Sequence, residues 1–326
     1  MSGVRRRLAA GLPLAALAAA LSLAPAGLGA SPASSGGHAR TRHRGGAPHE
    51  HSCPILPASN PLNRDISKAP VDPNSASYIA SIGASLHLHA DFGSNPSYGI
   101  PYAVVGPRQP KVPIDFTEFG EESDRGPYPV PANASVEGAG EEGDRHVLVL
   151  QSGACKLYEL YHARRHGPGW EAGSGAVFNL RSNALRREGW TSADAAGLPI
   201  FPLLARYGEV RAGRIDHALR VTVARTQRGY IHPAIHFASS SSDPSLPPMG
   251  LRLRLNAGFS LAGYHGQALV VLRALQRYGL IVADNGSSWF ITGAPDPRWK
   301  DEDLNQLKTV PGSAFEAVQS GPIRRG

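Results

Sequence analysis

The sequence predicts a mostly β fold of sandwich or jelly-roll type, built from residues 53–326 as a single domain with a few short helices. Two observations carry this reading. The chain of 326 residues is rich in Gly (37) and Pro (28), the residues that punctuate short strands, and several segments alternate apolar and polar residues at the period of a half-buried strand. Helical spacing is convincing in only one place. A body of this size falls within what all-β folds occupy as one unit, and no internal repeat divides it.

Val112, Ile114 and Phe116 alternate with Pro113, Asp115 and Thr117, and the proline marks this as an edge strand. His146 to Gln151 is a short continuous apolar run, suited to a strand covered on both faces. Leu219, Val221 and Val223 alternate with Arg220 and Thr222, while Leu251, Leu253 and Leu255 alternate with Arg252, Arg254 and Asn256. Each of these should present one apolar and one polar face. Leu280 to Asp284, Asn285-Gly286 and Ser287 to Ile291 read as a β-hairpin, because Asn-Gly accepts the positive φ angles of a type I′ turn. Ala268, Val271, Leu272, Leu275 and Tyr278 share one helical face, with Gly279 as the stop. A shorter helix is expected from Pro202 through Tyr207 to Gly213.

Arg5, Arg6 and Arg7 precede the apolar run Leu8 to Leu23, which ends among Pro25, Gly27, Gly29 and Ala30. This is the pattern of a secretory signal peptide over residues 1–30, so a secreted, extracytoplasmic protein is expected. No other stretch is apolar enough to cross a bilayer. Residues 31–52 are Gly, Ser, Arg and His with little to bury, which predicts a disordered spacer. His38, His43, His49 and His51 lie there, as solvated tail residues or as metal chelators. The formal charge of +7 is concentrated at this end: residues 1–52 hold six arginines and one acid, and the rest is nearly neutral. That distribution argues against a nucleic-acid partner. Cys53 and Cys155 are the only cysteines, and in an exported chain they are expected to form a disulfide.

The densest polar cluster is His87-Leu88-His89-Ala90-Asp91. In an extended segment His87, His89 and Asp91 share one face and form a ligand set for a divalent metal, to which Asp144 or His146 would add a donor. The plain reading is surface or core histidines. A second cluster is acidic, from Glu118, Glu121, Glu122 and Asp124 to Glu137, Glu141, Glu142 and Asp144. Glycoside hydrolysis uses two carboxyl groups across a cleft, although acids in a Gly- and Pro-rich stretch also form solvated loops. Trp170, Trp190, Trp289 and Trp299 offer ring faces that stack on sugars, or pack in the core. If their strands are neighbours, Arg220, Arg252 and Arg254 form a basic patch for carboxylates or sulfates; otherwise they line an exposed sheet face. His232 and His236 mimic a helical metal pair but enclose Pro233 and lack the accompanying Glu. No P-loop, dinucleotide fingerprint or G-x-S-x-G frame occurs.

Glu122-Ser123-Asp124, Gly143-Asp144-Arg145-His146-Val147, Gly173 to Leu180, Gly189 to Ile200 and Asp296-Pro297-Arg298-Trp299 resemble a family of exported bacterial proteins. The resemblance implies export and one intact domain, and it brings no reaction or catalytic residue with it. The residues themselves point to a protein acting on extracellular polysaccharide. The first reading is a glycoside hydrolase with Glu122, Asp124, Asp144 and His146 in catalysis, Arg220, Arg252, Trp170 and Trp299 in substrate binding, and His87, His89 and Asp91 as metal ligands. The alternatives are a lyase of uronic-acid polymers, in which Arg220 or Arg252 neutralises the carboxylate, and a non-catalytic glycan-binding or envelope-associated protein. Nothing in the sequence assigns an oligomeric state.

Overall fold

A computed structural model describes residues 48–325. The expected signal peptide and most of the expected spacer lie outside the described residues. The last residues of that spacer are paired: β1 (His49–Glu50) is antiparallel to β2 (Cys53–Pro54). The chain continues through α1 (Ser75–Ile82), β3 (His89–Asp91), β4 (Tyr102–Val105), β5 (Ile114–Phe116), β6 (Val147–Gln151), β7 (Lys156–Tyr161), β8 (Arg164–His166), β9 (Gly169–Ala172) and β10 (Ser174–Asn179). The second half holds α2 (Tyr207–Arg211), β11 (Leu219–Val223), β12 (Arg252–Leu255), α3 (Gly266–Arg277), β13 (Leu280–Asn285), β14 (Phe290–Thr292), α4 (Asp301–Asn305) and β15 (Phe315–Val318).

Strands dominate and the helices are few and short, as the sequence predicts, and the described sheets are open. A six-stranded sheet runs β15-β12-β13-β11-β14-β3, a four-stranded sheet runs β10-β7-β6-β4, and a three-stranded sheet runs β5-β9-β8. Pairing is mixed: β11 with β13, β14 with β3, β4 with β6 and β5 with β9 are parallel. The main core joins the six-stranded sheet to α3 and to apolar residues of the four-stranded sheet, and a smaller core packs Trp170, Tyr128 and Tyr158 beneath β5 and β9. No described helix is long and apolar enough to cross a membrane.

Several expected elements are present. β5 is an edge strand, β6 is buried along its whole length between β4 and β7, and α3 buries Ala268, Val271, Leu272 and Leu275. Gly279, at φ +69°, follows α3, and a Cβ there would lie 2.1 Å from the Leu253 carbonyl, so only glycine fits. Cys53 and Cys155 form a disulfide and both are fully buried.

Three expectations are corrected. The Asn285-Gly286 hairpin does not exist as a pair, because β11 is inserted between β13 and β14. Residues 286–289 span the extra strand, with Gly286 N–H and Trp289 N–H donating to the Val223 and Thr222 carbonyls. Gly286 is there for close approach: a Cβ would meet that of Thr222 at 3.2 Å. The segment 202–213 is broken into a 3-10 turn (Phe201–Leu203) and α2. Finally, β11 and β12 are separated by β13, and Arg220, Arg252 and Arg254 are all buried, so the expected polar faces and basic patch are interior.

Candidate functional site

The C-terminal ends of β7 and β13 and the segment 191–195 enclose a cleft of about 400 Å³, lined by Asp144, Tyr161, Asp194, His236, Asp284 and Asn285 among others. Its volume is in the range of small-ligand sites. The charge of its floor is set by Arg220 of β11. This buried guanidinium donates from Nε and Nη2 to the two oxygens of Asp194 (3.0 Å each), from Nη2 to Asp284 (2.9 Å) and from Nη1 to the Thr292 hydroxyl (3.0 Å). Burial opposes its charge, but Asp194 and Asp284 together hold it charged more firmly than a free arginine. Arg220 is therefore occupied and is not open to a substrate carboxylate.

Asp284 keeps 22% of its side chain exposed to the cleft. Burial and the Asp194 charge push its carboxyl well above the ordinary carboxylate range, against the pull of Arg220. Asp144 is exposed on the rim. Burial, together with the Asp144, Glu118 and Asp284 charges, raises the Tyr161 phenol. His236 donates from Nδ1 to the Ala195 carbonyl at 2.6 Å, since a carbonyl can only accept; in the neutral ring this leaves Nε2 as an acceptor.

A second ionic layer lies beneath. His146 is 1% exposed, with Nδ1 at 2.6 Å from Glu137 Oε2 and Nε2 at 2.8 Å from the Ala193 carbonyl. Both neighbours are acceptors, so both ring nitrogens carry hydrogen. Burial resists that charge, but the Glu137 carboxylate overcomes it and raises the His146 pKa to about 9. Fully buried Glu159 accepts from Ile200 N–H and Phe201 N–H, and burial pushes its pKa up to about 7 despite those bonds.

The structure brings only Asp144, of the expected catalytic residues, to the cleft surface. His146 is an interior ion-pair partner, with no free nitrogen to meet a substrate. Glu122 accepts from Thr191 N–H (2.8 Å) and Asp124 accepts from Val177 N–H and Arg186 Nε (2.8 Å each). These two acids, with Arg186 bonded to the Thr191 carbonyl, brace the cleft wall. Trp170 and Trp299 are both 3% exposed and pack in the two cores, Trp299 against Phe92 and Tyr207, so neither offers a face to sugar. Arg252 donates to the carbonyls of Pro61 and Tyr278, and burial lowers its pKa to about 10. Neither it nor Arg220 forms an external anion site.

His87 is exposed and its backbone bridges to Pro311. His89 and Asp91 lie on β3 at half-buried positions, with the His89 ring stacked on Phe290 at 4.1 Å. Burial lowers the His89 pKa and, helped by Glu137, raises that of Asp91. Among the described residues no group of three His, Cys, Asp or Glu side chains converges to hold a metal ion.

Sequence reasoning missed Asp194, Asp284, Tyr161 and His236 as a set. A signal existed: Asp194 stands in Ala193-Asp194-Ala195-Ala196, Glu159 in Leu157-Tyr158-Glu159-Leu160 and Arg220 between Leu219 and Val221. Charged residues inside otherwise apolar runs must find partners when buried. Comparison with protein-family models, curated proteins and solved structures returned no match.

Proposed function

We propose that the chain hydrolyses glycosidic bonds of an extracellular polysaccharide, with Asp284 as the proton donor and Asp144 as the second carboxyl of the cleft. The observation that carries this is Asp284: a partly exposed carboxyl whose affinity for a proton is raised by burial and by Asp194, in a cleft that also holds the exposed Asp144. Two carboxyl groups in contrasting environments are what acid catalysis at a glycosidic oxygen requires. Arg220 acts as a positioning residue, since it donates to the Asp284 carboxyl, and Asp194 in turn holds Arg220. The hydrolytic reading is favoured over the lyase because neither Arg220 nor Arg252 is free to neutralise a uronate. Export is supported by the leader sequence and by the disulfide.

The test is incubation of purified protein with neutral and uronic-acid polysaccharides, measuring new reducing ends. Hydrolysis of a neutral polymer is expected, and Asp284→Asn and Asp144→Asn should each lower turnover at least a hundredfold; the exposed Asp144→Asn should leave the denaturation midpoint nearly unchanged, whereas Asp284→Asn should lower it because Asp284 pairs with buried Arg220. Unsaturated, ultraviolet-absorbing ends would replace the reading with the lyase. Saturable binding without products would replace it with a glycan-binding protein.

A further inference from the structure

Besides the cleft, the molecule has a larger groove of about 1070 Å³ that none of the residues above explains. Tyr102 and Tyr207 provide aromatic surface there, Pro101 and Pro297 add rigid apolar surface, and Arg298 and Asp296 form the polar edge. Arg298 donates to Asp296 from Nε (2.7 Å) and Nη2 while its guanidinium lies 4.4 Å from the Tyr207 ring centroid. Such a pair offers outward N–H donors beside carboxylate acceptors, the mixture that a run of sugar hydroxyls needs. The Tyr102 ring meets Phe201 edge-on at 4.8 Å, and its hydroxyl has no hydrogen-bond partner among the described residues. Burial pushes that phenol up to about 12, so it remains a donor as well as an acceptor.

The lining charges nearly balance. Glu50 and Asp296 face Arg145, Arg211 and Arg298, while Arg206 is engaged below by Glu209 and the Phe201 carbonyl. With Arg298 paired to Asp296, Glu50 stands against Arg145 and Arg211, so the groove offers a strongly anionic or cationic polymer no more than a single net charge. We infer that this groove binds an extended neutral oligosaccharide, through apolar contact with Tyr102, Pro101 and Pro297 and hydroxyl contacts to the Tyr102 phenol and to the Arg298–Asp296 pair that covers the Tyr207 ring. The same backbone segment separates groove and cleft: Ser135, Val136, Ala139 and Arg145 line the groove, and Asp144 lines the cleft. The inference rests on the hydrolase reading for its choice of a saccharide.

Binding can be measured apart from cleavage by calorimetry on the full chain carrying Asp284→Asn, with cellohexaose, xylohexaose and mannohexaose as neutral probes and hexagalacturonate as the charged control. At least one neutral hexasaccharide should bind saturably, and its disaccharide at least tenfold more weakly. Tyr102→Phe should weaken binding about threefold to tenfold, the value of one hydrogen bond, and Arg298→Ala, an exposed change, tenfold or more. Equal affinity in both variants, preference for hexagalacturonate, or no binding of any neutral probe would overturn the inference. A protein that cleaves short neutral substrates yet fails these binding tests would retain the hydrolase and lose the groove. One that binds but never cleaves would do the reverse.

Discussion

Raising the pH should remove a large part of the stability of this protein through a single buried histidine. Burial opposes the charge of His146, but the Glu137 carboxylate outweighs it and raises the folded-state pKa from the ordinary 6.5 to about 9, while the Ala193 carbonyl accepts from the other ring nitrogen. A raised pKa means that the folded state binds the proton more tightly. The resulting stabilisation is complete below pH 6.5 and is lost as pH rises to about 9. At about 1.4 kcal/mol per pH unit, the loss is on the order of 3 kcal/mol, a sizeable fraction of the total stability of a typical domain. Glu159, raised from 4.5 to about 7, follows the same sign in a lower window, so its stabilisation is lost between those values. The assay is urea denaturation at intervals from pH 5 to pH 9.5, on the wild type and on His146→Gln, whose amide has no titration. The wild type should lose stability steadily above pH 6.5, while the variant starts less stable and stays flat above pH 7. Parallel curves, or a wild type insensitive to pH in this window, would refute the assignment of a charged His146.

Three further outcomes follow from the same structure. Arg220→Met should cost about 3–5 kcal/mol, because it leaves Asp194 buried without its bidentate partner; a loss below 1 kcal/mol in chemical denaturation would contradict the network. Trp170→Ala and Trp299→Ala should each destabilise the fold by about 3–5 kcal/mol, as core residues do, and an unchanged melting transition with weakened glycan binding would return them to the surface. Reducing the Cys53–Cys155 bridge, which joins residues 102 apart, should lower stability by about 4–5 kcal/mol in the chain-entropy model; two thiols freely alkylated in native, unreduced protein would exclude the bridge.

The features legible in residue order alone are largely local. The α3 stripe and its Gly279 stop, the edge strand at Pro113, the buried run of β6 and the mostly β character follow from side-chain periodicity and backbone preference, which act over a few residues. The disulfide follows from the expected export together with the cysteine count, since two cysteines allow one pairing. The remainder depends on contacts between distant segments. Asn285-Gly286 permits a tight hairpin, but whether β14 pairs with β13 or with an intervening β11 depends on which strands bury each other. The arginines of β11 and β12 alternate with leucine and valine as an exposed face would. They are interior because Asp194, Asp284 and Glu316, together with the carbonyls of Pro61, Ile66 and Tyr278, arrive from distant parts of the chain to pair with them. The cleft has the same origin: Asp144, Tyr161, Asp194, His236 and Asp284 come from five separate segments. The proton affinity of Asp284 is a property of that assembly, because desolvation and the nearness of a second carboxyl exist only once the chain has folded.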